Sequence, residues 1–151
     1  MIKITVPIAQ GLLARAVLTQ GPDFIYNPPV NAGERTKNCR NSPNPDAPED
    51  HPMRITGCLV GTALTLHGLT AHTNEYNNNG NVLDFQSRHP EALTEQAAYY
   101  FFAAQATQDG GESWGAAYAG AEEQAASLAT AERMIAEQLA AGQETKEDTE
   151  K

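Results

Sequence analysis

The apolar positions of this chain fall into separate blocks, and the period inside each block predicts an element. Ile2, Ile4 and Val6 alternate with polar residues and predict a short strand or an extended lead-in. The spacing then changes to four: Ile8, Leu12 and Ala16 recur, and Leu13 pairs with Val17. This is an amphipathic helix of about three turns, with Thr5 as N-cap, Pro7 in the first turn and Gly21-Pro22 as its stop. Residues 23–26, D-F-I-Y, predict a short extended piece sealed by Asn27-Pro28-Pro29. The run I-T-G-C-L-V-G-T-A-L-T-L-H-G-L-T over residues 55–70 has a different character, because it is apolar on nearly every side. Such a segment must be buried, so a central helix is expected over 55–68, with Gly68 capping it. Gly57 and Gly61 lie four apart, a spacing that lets a second helix approach closely.

Further along, V-L-D-F at 82–85 predicts a short extended piece that can pair with residues 24–26 as a two-stranded ribbon. Pro90 opens the next predicted helix, which runs to about Asp109 and stops at Gly110-Gly111. Its core face is Leu93, Ala97, Tyr100, Phe101 and Ala104, widened by Tyr99 and Phe102. A last helix is expected from about Ser113 to Ala141. Trp114, Tyr118, Ala121, Ala125, Leu128, Ile135 and Leu139 follow a 4-3-4-3 spacing, with Glu132 as the polar member of the seam. That spacing is typical of helices packed along a seam. About 28 residues give a length of roughly 42 Å, more than a small domain is wide. The end over 126–141 therefore either projects and presents an apolar stripe to a partner, or folds back at a bend near Gly120.

The fold class expected is thus mainly α: about four helices around a buried central one, minor extended pieces, two long loops and a long C-terminal helix. One helical domain spans 1–141. The stretch 28–54, with Pro43, Pro45, Pro48 and Pro52 among Asn, Asp and Ser, has no period and reads as a long polar loop. A second loop covers 71–81, with Asn79-Gly80 as a turn signal. Residues 142–151 read as a solvated, disordered acidic tail.

Composition narrows the functional classes. The chain has 151 residues and a formal net charge of −9, with a pI of about 4.8 and a mean hydropathy of −0.48. Acidity on this scale opposes direct nucleic-acid binding and docking on anionic lipid, while it permits a basic partner. No apolar run approaches the roughly 20 residues of a spanning helix, and the N-terminus carries no signal-peptide pattern. With no export signal, a reducing cytoplasm is expected, where the two cysteines stay free thiols.

Candidate chemistry is thin. Cys39, Cys58, His67 and His72 form a conceivable Cys2His2 zinc set, but no C-x-x-C pair and no H-x-x-x-H on one helix face supports it. A cysteine in a buried helix also behaves as a small apolar residue. Cys58 with His67 or His51 invites a thiol–imidazole reading, yet Cys58 and His67 are nine residues apart, about 13 Å along a helix. Glu122-Glu123 and Glu49-Asp50 read as solvated charge. Gly57-x-x-x-Gly61 lacks the lysine and hydroxyl of a phosphate loop. Gly110-Gly111 precedes a helix, but Glu112 beside it favours capping over anion binding. No cofactor is expected. The contact residues are instead Tyr76, in the asparagine-rich loop, and Leu128, Ile135 and Leu139 on the last helix. Tyr76 packing back on the domain is the competing reading.

Three fragments carry a resemblance: P-D-F-I-Y at 22–26, G-C-L-V-G-T-A-L at 57–64 and Q-D-G-G-E-S-W-G-A-A at 108–117. Together they resemble a family of small uncharacterised proteins of actinobacteriophages and related actinomycete mobile elements, over most of residues 1–120. This chain departs from that pattern after Cys39, where a proline-rich insertion replaces a compact turn, and in its extended last helix. The resemblance implies a phage or mobile-element origin and a bacterial cytoplasm, without a mechanism. The function expected is a non-enzymatic protein-binding module acting on a host or phage protein, through a protein partner or self-association along the C-terminal helix. The alternatives are an acidic inhibitor of a DNA-binding protein, a small zinc-binding protein, or a minor virion component.

Overall fold

The computed structural model describes residues 2–26, 49, 57–69 and 81–147, with side chains of the last helix through 139. Among these residues it is mainly helical: five α-helices and two isolated β-bridges, with no strand. Most of the expected 28–54 loop, residues 70–80 and the tail beyond 147 lie outside the described residues.

Helix α1 spans Val6–Gln20 and buries Ala9, Leu12, Leu13, Ala16 and Val17, the face read from the fourfold spacing. Thr5 occupies the N-cap with extended backbone, although its side chain makes no capping hydrogen bond. The helix stops at Gly21, where φ is 93° and the amide donates to the Val17 carbonyl at 2.8 Å. Only glycine adopts that φ without cost.

Helix α2, Leu59–Leu66, is the apolar run, trimmed to eight residues. Cys58 therefore caps the helix rather than sitting in its middle, and its Sγ accepts from the Gly61 amide at 3.4 Å. At the other end Gly68 (φ 87°) donates to the Thr65 carbonyl, and Leu69 donates to that of Leu64. This pair of bonds is a Schellman cap, as Gly68 had promised.

The extended piece expected at 82–85 is instead the first part of helix α3, Val82–Arg88. Asn81 Oδ1 accepts from the Leu83 and Asp84 amides, at 2.9 and 3.0 Å, while Asp84 Oδ2 accepts from the Asn81 amide at 3.2 Å. A reciprocal capping box of this kind outweighs the strand preference of Val, Leu and Phe. Helical geometry then puts Val82 and Phe85 together on the buried side. The expected ribbon is accordingly absent. Ile25 bridges Ser113 antiparallel, and Ile4 bridges Leu93 in parallel.

That second bridge also moves the start of helix α4, which spans Glu95–Asp109 rather than opening at Pro90. The Ile4 amide donates to the Ala92 carbonyl and the Thr94 amide donates to that of Ile4, holding residues 93–94 extended. Thr94 then caps the helix, its Oγ1 accepting from the Ala97 amide at 3.2 Å. Ala97, Tyr100, Phe101 and Ala104 are buried as expected, but Tyr99 and Phe102 are 48% and 36% exposed. They flank the core face and face outward.

Helix α5 runs unbroken over Trp114–Glu147, 34 residues or about 51 Å. It does not fold back at Gly120, and it continues beyond the Ala141 end expected, because Gln143, Glu144 and Lys146 are good helix formers. Trp114 is fully buried and meets Phe24 edge to face, with ring centroids 4.9 Å apart. Gly115 lies so close to the 22–24 segment that a Cβ would sit 2.8 Å from the Pro22 carbonyl oxygen. α5 packs mainly on α4, and α4 is the helix that touches all the others, with α1 and α2 packed together beside it.

Candidate docking surface

Two glutamines on the core face of α4 organise the interior. Gln108 is 2% exposed, and its Oε1 accepts from the Leu59 amide at 2.7 Å and from the Trp114 indole N–H at 3.1 Å. Gln105, 4% exposed, accepts from the Val82 amide at 3.1 Å. Leu59 and Val82 are the first residues of α2 and α3. Their amides have no partner within their own helices, and a buried one must find a partner elsewhere. α4 thus supplies one capping acceptor each to α2 and α3. Sequence reasoning missed both glutamines, although polar amides three apart on an otherwise apolar face were the available signal.

Glu122 is not the solvated charge its sequence position suggests: it is half-buried and engaged. Its Oε1 accepts from the Tyr100 hydroxyl at 2.6 Å, and its Oε2 accepts from Gln10 Nε2 at 3.2 Å. α1, α4 and α5 are tied together by this one carboxylate. Burial, then the hydrogen bond to Glu122 and its charge, push the Tyr100 phenol well above its ordinary range. Tyr100 is therefore a neutral donor at any physiological pH.

Tyr100 also forms one wall of a groove of about 230 Å³ between α4 and α5. Val6, Tyr99, Ala125, Leu128 and Glu132 line it with Tyr100. Along the groove and past it, every described residue of α5 from 126 to 139 is exposed. Leu128, Ile135 and Leu139 are 47%, 57% and 65% exposed. At 100° per residue these three fall within about 40° of arc, with Glu132 at the edge. The seam read from the heptad spacing is therefore covered by the domain as far as Ala125 and uncovered afterwards. Glu132 makes no hydrogen bond or ion pair among the described residues, whereas Arg133 pairs with Glu137 at 3.8 Å.

Cys58 and His67 sit at opposite ends of α2, and His67 Nε2 donates to the Ile2 carbonyl at 2.7 Å. The two cannot form a thiol–imidazole pair. Cys39, His51, His72 and Tyr76 lie outside the described residues. Among the described residues no group of three metal-ligating side chains converges, and no helix is long and apolar enough to cross a membrane. Compared with known proteins, the chain matches no family model, no curated protein and no solved structure.

Proposed function

We propose that this chain is a non-enzymatic protein-binding module, of phage or mobile-element origin, that holds a host or phage protein along the uncovered stripe of α5 in the bacterial cytoplasm. One observation carries the reading: three large apolar side chains stay aligned and exposed on a helix that outruns its own core. Isolated exposed leucines are ordinary, but an aligned set continuing a packed seam is the pattern of an interaction face. The same stripe runs into the groove at Tyr99 and Tyr100, and tyrosines are common anchors of interfaces. Nothing in this reading requires a cofactor, a membrane or direct nucleic-acid contact.

The test is affinity capture from an actinobacterial lysate with the full chain and with Leu128→Asp/Ile135→Asp, beside light scattering of both. A discrete protein, or a second copy, held by the native chain and released by the double variant is the expected outcome. A native chain that is monomeric and retains nothing, or a captured protein that the variant retains equally, would overturn the proposal.

A further inference from the structure

We infer that the occupant of the α5 stripe is a cationic amphipathic helix of another protein, seated with a lysine or arginine against Glu132. This rests on the docking reading above and adds the chemistry of the partner. The groove-and-stripe face from Ala125 to Leu139 is about 21 Å long, the length of a helix of four turns. Helix-in-groove recognition uses such a face, with apolar anchors at i, i+3, i+4 and i+7. The apolar side chains do not choose between a second copy and a different protein. Glu132 does.

Glu132 occupies the seam between Leu128 and Ile135, so whatever covers those residues also desolvates its carboxylate. A buried charge opposes binding unless a counter-charge meets it. Pairing two copies of α5 along this seam would enclose two such carboxylates. The described charges from 122 to 139 of each copy are Glu122, Glu123, Glu132 and Glu137 against Arg133 alone. Arg133 is already beside its own Glu137 and steps off the stripe by one residue. Self-pairing therefore joins like charge to like charge, with −9 on each chain. A helix bearing Lys or Arg opposite Glu132 converts the same carboxylate from a penalty into the element that fixes register, as polar seam positions do in coiled coils.

The probes are three labelled 15-residue amphipathic peptides with one leucine face and, on its flanks, Lys, Gln or Glu. Binding to the full chain is read by fluorescence anisotropy at physiological salt. Expected is tightest binding of the Lys peptide, at least tenfold over the Gln peptide, with the Glu peptide weakest. Glu132→Gln should erase the tenfold preference while Leu128→Asp/Ile135→Asp abolishes binding, both variants keeping native circular dichroism. Equal binding of Lys and Gln peptides, or a preference that survives Glu132→Gln, sinks this inference and leaves the docking face standing. A native chain that dimerises through the stripe and binds no peptide does the same. If Leu128→Asp/Ile135→Asp leaves peptide binding unchanged, or if the native chain is monomeric and binds none of the three, the docking reading fails with it.

Discussion

Replacing Gln108 by leucine tests whether the interior is held by α4's glutamines. The side chain keeps its volume but loses the oxygen that serves the Leu59 amide at 2.7 Å and the Trp114 indole at 3.1 Å. Both donors belong to fully buried residues, so no water replaces the lost acceptor. Each orphaned donor costs about 1–3 kcal/mol. The more apolar leucine returns about 1 kcal/mol of burial, which leaves a net loss of about 3 kcal/mol, a large fraction of the stability of an ordinary domain. Urea unfolding followed by circular dichroism should show the midpoint falling at an unchanged slope, and the melting temperature should drop by about 10 °C. Trp114→Phe removes one of the two donors. In the Gln108→Leu background it should therefore cost about 1 kcal/mol less than alone. A loss below about 1 kcal/mol for Gln108→Leu, or an additive double variant, would refute the capping argument.

Two glycines should respond to alanine with opposite signs. Gly11 lies inside α1 with nothing within 4 Å of an added Cβ, so Gly11→Ala should raise stability by about 1 kcal/mol, whereas Gly115→Ala drives a methyl into the Pro22 backbone and should lower it by about 1–3 kcal/mol in thermal melts. Tyr100 carries a pH signature: its phenol is pushed above the ordinary value near 10, so the neutral form is favoured by folding. Its contribution is fully present below pH 10 and is lost as pH rises beyond, so alkaline unfolding should be shallower in Tyr100→Phe, and a spectrophotometric titration in which the Tyr100 phenol ionises at its ordinary value near 10 would contradict this.

Much of the helical plan was legible because amphipathic spacing and caps act locally. The α1 face, the glycine caps of α1 and α2, the Tyr100–Phe101 core and the long seam all follow from neighbours within one or two turns. The two departures differ in kind: one local preference yields to a stronger local cap, and another yields to a bond from far along the chain. V-L-D-F reads as strand until Asn81 and Asp84 are seen to close a box around its first turn. Pro90 reads as a helix start until Ile4, far back in the chain, holds residues 93–94 extended. The glutamine caps and the Tyr100–Glu122–Gln10 cluster are tertiary, and no period announces them. The stripe on α5 was visible as a pattern, while the groove wall formed by Val6 and Tyr99 required the packing of α1 and α4 against it.

The distal part of α5 shows how an uncovered helix persists. Helices usually draw their stability from packing an apolar face, yet over residues 126–139 that support is confined to the groove wall at Leu128 and every residue is exposed. Their sequence, A-S-L-A-T-A-E-R-M-I-A-E-Q-L, compensates with the strongest helix formers: alanine, leucine, glutamate, glutamine, arginine and methionine supply all but three positions, Ser127, Thr130 and Ile135. Arg133 and Glu137 add an i,i+4 pair worth a few tenths of a kcal/mol. Helix nucleation is the costly step, and here the packed turns from Trp114 to Ala121 have already made it. Propagation into solvent then needs only residues of favourable propensity. A helix ordered in this way presents Leu128, Glu132, Ile135 and Leu139 in fixed register before any partner arrives. On the docking function proposed above, binding would not have to order that segment, a cost that otherwise weakens docking by a disordered one. Solubility alone would be served by polar residues at 128, 135 and 139. Keeping large apolar side chains there, in line with a seam the domain has stopped covering, is the feature that an interaction face explains.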